Sequence, residues 1–332
     1  MTNRGASVSV ALCTHNGERF VGEQVASILA QTVLPAEIVL SDDASTDGTV
    51  DAVARVVESW RAEHPESPIQ LRILRNTTAL GVTGNFEQAV AVSSGEFIAL
   101  SDQDDIWHAD RVERALAGFE TNPAILLLHS DARLVDAAGV PLGDSLFSAY
   151  DVNPSVIDAI HSGRAFDILA RRTIVTGAAT MVRRRLVEVS SPFPAGWVHD
   201  EWLAIVAAAL EAIDVIGEQL IDYRQHGNNE IGAGTLSFTG KLRRMLEPRT
   251  DRNRRLLERS VSLAERFASM PEIADGFTAA AADKLEHEKV RSALPTARIR
   301  RLPAVFRELQ TGRYSRFGRG AADAVRDLLQ PV

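Results

Sequence analysis

Cysteine is almost absent from the chain. Cys13 is the only one in 332 residues. No disulfide can therefore form within it, which fits a reducing compartment. Long apolar runs are missing too. The longest charge-free apolar stretch near a helical pattern, Trp202 to Leu210, falls far short of the roughly 20 residues a bilayer needs. The first 20 residues hold only a short apolar stretch, broken by Ser9 and ended by Thr14-His15-Asn16-Gly17, which is not a signal-peptide pattern. The expectation is a cytoplasmic protein without a transmembrane helix. A positive charge balance is also lacking: the formal net charge is -8, which argues against generic nucleic-acid binding. Three phosphate- or nucleophile-bearing strings are absent: G-x-x-x-x-G-K-[ST], G-x-G-x-x-G after the first strand, and G-x-S-x-G. Gly81-Val82-Thr83-Gly84 has the wrong spacing for a dinucleotide loop. There is no internal repeat and no low-complexity tract.

What is present has the composition of an ordinary globular protein, 45% hydrophobic and 24% charged. The length suits one large domain with an extension, or two domains. Charge is uneven. Residues 241–332 carry 20 Lys/Arg against 12 Asp/Glu, and residues 1–240 carry 16 against 32. Opposite charge suggests two roles, or one part docked on the other.

Apolar spacing predicts alternating strands and helices from the start. Strands are expected at Ser7–Leu12, Glu37–Leu40, Leu71–Leu74 and Glu96–Leu100. Helices are expected at Glu23–Leu29, Thr49–Trp60 and Asn85–Val92. Alternation of this kind predicts an α/β fold with a mostly parallel sheet flanked by helices. Beyond that, Ile125–Leu128 and Thr173–Val182 read as strands, residues 143–170 as a partly helical insertion, and Glu201–Ile213 as an apolar helix. From Leu236 the chain reads as helical and Arg-rich.

Ligands of such sheets bind beyond the C-terminal strand ends, and there this sequence places carboxylates. In Ser101-Asp102-Gln103-Asp104-Asp105, two carboxylates one residue apart can share a divalent cation and leave positions for phosphate oxygens; alternatively Asp105 or Asp110 caps the next helix. In Ser41-Asp42-Asp43-Ala44-Ser45-Thr46-Asp47-Gly48, Asp43 can accept a hydrogen bond from a base or sugar, or Thr46 or Asp47 simply caps a helix. The segment is no EF-hand, because Ala54 stands where a bidentate Glu is required. His199-Asp200-Glu201 opens an apolar helix, as a cap or as an anion held at a helix N-terminus. Tyr223-Arg224-Gln225-His226-Gly227-Asn228-Asn229 follows a strand; Arg224 and His226 meet phosphate there, or the segment is a solvated loop.

Together, and in this order, these clusters are more specific than any one alone. The chain resembles the family 2 glycosyltransferases across about residues 7–230. The motifs carrying this are SVSVALCTHNG (7–17), SDDASTDG (41–48), SDQDDIW (101–107), TGAA (176–179) and His199-Asp200. The DQDDIW, YRQHGNN and closing RYSRFG strings look most like the bacterial rhamnosyltransferase branch. The resemblance implies a GT-A fold: a catalytic domain over residues 1–235 and a helical, Arg-rich region over 236–332. It implies that Asp43 hydrogen-bonds a pyrimidine N3–H. Cys13, Thr14, His15, Asn16 and Asn85 would line the nucleotide pocket, and Asp102 would lie by ribose and metal. Asp104, with Asp102 and His226, would hold Mg²⁺ or Mn²⁺, and Arg224 would contact phosphate. Asp200 would be the catalytic base. His15 departs from the pattern, where Tyr is frequent, and His199 stands where an acid often precedes the base.

The implied activity is inverting transfer of a sugar, with L-rhamnose favoured by resemblance. The donor would be a dTDP- or UDP-sugar. The acceptor would be a hydroxyl of a growing bacterial surface glycan, free or lipid-linked. The basic C-terminal region either packs on the catalytic domain, forms a homodimer, or meets anionic lipid as a peripheral contact. A sugar nucleotidyltransferase usually has an Arg/Lys-bearing Gly-rich loop after its first strand, where this chain has Cys13-Thr14-His15-Asn16-Gly17-Glu18. A non-catalytic nucleotide-sugar binding protein would not need Asp43, Asp104 and Asp200 together.

Overall fold

The computed structural model describes residues 7–67, 69–226 and 249–331, with side chains excepted at 249 and 250. Four strands build the N-terminal half: β1 (Val8–Thr14), β2 (Glu37–Asp42), β3 (Gln70–Arg75) and β4 (Phe97–Ser101). All pair in parallel, in the spatial order β3-β2-β1-β4. Position in the sheet explains their composition. Central β1 is buried along its whole length, whereas edge strand β3 has only exposed and half-buried residues and carries Arg72 and Arg75. Helices α1 (Val21–Leu29), α2 (Thr49–Glu63) and α3 (Gly81–Val92) are the crossovers. α1 buries Val21, Val25, Ile28 and Leu29, a single helical stripe.

Beyond β4 the sheet becomes mixed. Its remaining strands are β5 (Ile106–Trp107), β6 (Leu127–Val135), β7 (Pro141–Ser145), β8 (Thr180–Arg183) and β9 (Ile213–Arg224). β8 runs antiparallel to both β4 and β6, β6 is parallel to β9, and β5 and β7 pair antiparallel to β9 and β6. The result is a mixed, mostly parallel sheet flanked by helices, as expected. Helices α4 (Arg111–Thr121), α5 (Leu146–Ala149), α6 (Pro154–His161), α7 (Ala165–Leu169), α8 (Arg184–Ser190) and α9 (His199–Ala209) complete this part. Every residue of α9 from Trp202 to Ala209 is buried, which accounts for its apolar character on all sides.

Several boundaries differ from the sequence reading. Ile213 belongs to β9, not to the helix before it; the chain turns at Glu211, which takes a left-handed conformation (φ 54°). The strand expected over 173–182 is mostly a turn, a 3-10 segment at Gly177–Ala179 followed by β8. Tyr223 and Arg224 lie within β9, not in a loop after it. Asp110 makes no side-chain cap on α4, and Asp105 accepts instead from the backbone N–H of Arg224. Asp47 does serve α2, accepting from the backbone N–H of Thr49.

The C-terminal region holds α10 (Arg249–Ser269), α11 (Asp275–Ser292), α12 (Leu302–Gln310), α13 (Arg313–Phe317) and α14 (Ala321–Leu329). The 235/236 boundary and Arg243-Arg244 lie outside the described residues. α10 and α11 share the core of the preceding part: Leu263, Phe267, Met270 and Ile273 pack with Trp202 and Leu203. The Phe166 ring lies 5.0 Å from that of Phe277. Three of the arginines that suggested a basic surface do internal work. Arg252 pairs with Asp323, Arg259 with Glu201, and buried Arg301 donates to five backbone carbonyls.

Candidate active site

A cavity of about 350 Å³ opens beyond the C-terminal ends of β1, β2 and β4, within the range of small-molecule sites. Cys13, Thr14, His15, Asp43, Asn85, Asp102, Asp104 and Asp200 all line it. Asn16, Arg224 and His226 do not.

One wall is built from the loops after β1 and β2 and the start of α3. Asp43 Oδ1 accepts from the backbone N–H of Leu80 (2.7 Å), and Oδ2 accepts from that of Gly81 (2.9 Å). The carboxylate thus sits on the N-terminus of α3, where unpaired N–H groups favour an anion. Gly81 has φ +76°, so the turn that presents these donors favours glycine. Behind Asp43, Asn85 bridges to Ser41, accepting from its hydroxyl (2.6 Å) and donating to its carbonyl (2.9 Å). His15 Nδ1 lies 2.7 Å from the Asp43 carbonyl. Gln103, which sequence reasoning passed over, ties the two loops together: it accepts from the His15 N–H and donates to the His15 carbonyl. Its signal was its place inside the carboxylate string. Asn16 turns away and accepts from the Thr46 backbone N–H, so it fastens the loop instead of lining the pocket. Burial, with Asp102 and Asp43 nearby, pushes the Cys13 thiol well up, which suits a packing residue and not a nucleophile.

The loop after β4 forms the floor. Asp104 Oδ2 lies 2.7 Å from His226 Nε2. Burial pushes Asp104 up, and His226 and Arg224 oppose that. Asp105 is fully buried, and burial plus the neighbouring Asp104 and Asp102 charges push it well up. Arg224 is not available to a phosphate. It is 3% exposed, pairs with Glu23 (2.7 Å), and donates to the carbonyls of Asp104 and Ala137. It lies on β9 because the strand runs longer than its apolar pattern, so its guanidinium braces the carboxylate loop from behind. Gly227, Asn228 and Asn229 lie outside the described residues. Among the described residues no three His, Cys, Asp or Glu side chains form a ready metal site. Mg²⁺ and Mn²⁺ do not require one, since one or two carboxylates with phosphate oxygens suffice. The oxygen of Asp104 and the nitrogen of His226 fit such a partial set. The crowded carboxylates of this loop are the field a divalent cation relieves.

The opposite wall is the turn before β8 and the start of α9. Asp200 Oδ2 accepts from the Gly177 N–H (2.8 Å), and Oδ1 accepts from that of Glu201 (2.7 Å). Burial pushes the Asp200 carboxyl up; the two N–H donors and Arg259 pull it back. Gly177 must lack a side chain, because a Cβ there would stand 2.6 Å from His199 Nε2. His199 stacks on Phe86 with ring centroids 3.8 Å apart. It is 4% exposed, and among the described residues neither ring nitrogen has a hydrogen-bond partner. Burial pushes it down to about 3, so it is a neutral imidazole with one donor and one acceptor to offer. Glu201 pairs with Arg259 of α10 (2.6 Å), and that guanidinium lies 4.1 Å from the centre of the Trp197 ring. The C-terminal helices therefore brace this wall.

A sequence profile described as Glycosyl transferase family 2 matches residues 9–188, more than half of the chain. The chain belongs to glycosyl transferase family 2. An uncharacterized glycosyltransferase of Nostoc sp. is 26% identical over 69% of this chain and 68% of its own length. The dTDP-rhamnosyl transferase RfbG of Shigella flexneri is 25% identical over 70% of this chain and 78% of its own. The match to the putative glycosyltransferase EpsE of Bacillus subtilis, at 29% identity, covers 42% of this chain and only 47% of that protein. Among solved structures, S. aureus TarS 1-349 in complex with UDP-GlcNAc superposes with a TM-score of 0.57, at 15% identity over 92% of this chain and 81% of that one. The mannosyltransferase PcManGT from Pyrobaculum calidifontis, in complex with GDP-Man and Mn²⁺, gives 0.51 at 18% identity over 97% and 79%. These likenesses establish the GT-A arrangement. This family 2 enzyme is a glycosyltransferase, and none of its described helices is long and apolar enough to cross a membrane.

Proposed function

We propose that this glycosyltransferase moves a sugar from a pyrimidine nucleoside diphosphate, dTDP or UDP, to a hydroxyl of a bacterial surface glycan, with inversion. The observation that carries the reading is that Asp104 and Asp200 line one cavity from different walls. One carboxylate is then set beside a departing diphosphate and the other beside an incoming hydroxyl. The relative that is a dTDP-rhamnosyl transferase supports L-rhamnose as the sugar. The acceptor is a glycan, free or lipid-linked, met in the cytoplasm.

Asp200 accepts the proton of the acceptor hydroxyl as its oxygen bonds to the anomeric carbon. The bond from that carbon to the diphosphate oxygen breaks in the same displacement, which inverts the configuration. Gly177 and Glu201 hold the Asp200 carboxylate in place through its two N–H bonds. Asp43 reads the base from the start of α3, and His15 forms the adjoining edge. Asp104, with Asp102 and His226, would hold a divalent cation, which would supply Lewis-acid stabilisation of the leaving diphosphate. His199 offers its ring nitrogens to a sugar hydroxyl.

The test is a thermal-shift panel of dTDP-, UDP- and GDP-sugars, each with and without Mn²⁺. A ligand that prefers the folded state raises Tm. A Mn²⁺-dependent rise with dTDP-L-rhamnose, larger than with the others, is the expected result. A rise only with a GDP-sugar would overturn the pyrimidine assignment, and no rise with any donor would overturn the donor-site reading.

A further inference from the structure

The C-terminal helices expose apolar side chains that the fold does not use. Ile299 is 73% exposed, Leu302 47%, Phe306 64% and Leu309 38%. Residues 302, 306 and 309 recur at the spacing of one helical stripe of α12. The opposite face of α12 already makes its contacts: Val305 is buried with Leu294, Tyr314 and Ala324 in a small core, and Glu308 is buried against His287. The stripe is therefore not an incomplete core contact. Val325 and Leu329 of the packed neighbour α14 are exposed as well.

Charge around the stripe is of one sign. Arg298, Arg300 and Arg307 are exposed beside it and form no ion pair among the described residues. The carboxylates of the same stretch, Glu308, Asp323 and Asp327, are all turned inward, to His287, Arg252 and Arg291 respectively. Arg298 and Arg300 lie in the turn just before α12, whose first turn has no acidic residue. Cations at a helix N-terminus oppose the helix dipole, so their placement does not serve the helix. It concentrates positive potential beside exposed Leu302 and Ile299. A second copy of the chain is a poor occupant, because a two-fold contact through α12 and α14 would set these arginines against themselves with no exposed carboxylate on either helix to receive them.

We propose that this face, the Ile299-Leu302-Phe306-Leu309 stripe with its arginine rim, docks the enzyme on an anionic lipid surface. The apolar residues enter the boundary between headgroups and acyl chains while the arginines meet lipid phosphates. The inference does not depend on the donor, the base or the metal assigned above.

Vesicle flotation of the full chain tests it, with phosphatidylglycerol-containing vesicles against pure phosphatidylcholine. The protein is expected to float with the anionic vesicles only, and high salt is expected to reduce the bound fraction. Phe306→Glu is expected to lower binding at least tenfold. Arg298→Glu with Arg300→Glu does the same, at roughly fivefold or more per arginine. Both leave Tm and the donor-induced thermal shift unchanged; Phe306→Ser substitutes if the glutamate variant fails to fold. Absence of flotation with anionic vesicles, or equal flotation of Phe306→Glu and wild type, overturns the proposal. So does a dimer in sedimentation that Phe306→Glu dissociates without any vesicle binding.

Discussion

The two walls of the cavity are finished to different degrees. On the Asp43 wall the polar groups are engaged within the protein: Asp43 by Leu80 and Gly81, Asn85 by Ser41, and His15 by Gln103. On the Asp200 wall His199 is buried with neither nitrogen paired among the described residues. An unpaired buried polar group costs stability, on the order of 1–3 kcal/mol. The first wall is preorganised whether or not a ligand is present. The second keeps hydrogen-bonding capacity in reserve for one. His199 should therefore matter to a ligand and little to stability, whereas the first wall matters to both.

The sharpest break lies at Asp200. Asp200→Asn is expected to lower kcat by about 10²–10⁴, with donor affinity by calorimetry changed less than threefold. The same residue sets a pH limb. Its folded-state pKa is raised by burial, which outweighs the Gly177 and Glu201 N–H donors and the Arg259 charge, and the base works only when ionised. Activity should then fall as pH drops through a value above the ordinary aspartate range, as a kcat/KM profile would register; a limb at the ordinary value would contradict this. Asp104→Asn is next, with a loss of roughly 10²-fold and of the Mn²⁺-dependence of donor binding, since Lewis-acid stabilisation is worth several kcal/mol.

His199→Leu tests the reserved capacity. It should raise KM for one substrate about tenfold and leave stability within about 1 kcal/mol of wild type, because the ring nitrogens removed have no hydrogen-bond partner among the described residues and leucine keeps an apolar contact on Phe86. A large fall in Tm would assign His199 to the scaffold instead. Asp43→Ala should cost both donor affinity and stability. It strips two helix-start N–H groups of their acceptor, costing about 2 kcal/mol in chemical denaturation. The smallest effect is expected from Arg259→Ala: a few-fold drop in kcat and about 1 kcal/mol of stability, since the ion pair with Glu201 is only partly buried.

Much of this was legible in the chain. Alternating apolar runs gave the first four strands their places, because each is short and bounded by polar loops, and all but edge strand β3 are buried. The carboxylates of 42–43, 102–105 and 200 were legible because strand ends in such sheets converge on one edge. What was not legible depended on partners distant in sequence. Arg224 looked like a loop residue because its neighbours Gln225 and His226 are polar; only the pairing of β9 with β5 and β6 shows that it is buried. Asn16 looked like a pocket residue because it follows Thr14 and His15, yet its left-handed backbone (φ 48°) turns its amide to Thr46. Nothing in the local pattern of His199 announced Phe86 as its stacking partner, or Gly177 as the residue whose missing side chain makes room for it.

The brace on Asp200 also sets a schedule. Trp197 Nε1 donates to the Arg259 carbonyl across 62 residues of sequence, and the Arg259 side chain meets Glu201, next to the base. At ribosomal speeds of about 5–20 residues per second, that partner follows roughly 3–12 s later. During that interval a nascent chain holds both carboxylates of α9 without the cation that steadies them. The wall around Asp200 thus reaches its final form only after α10 has been made.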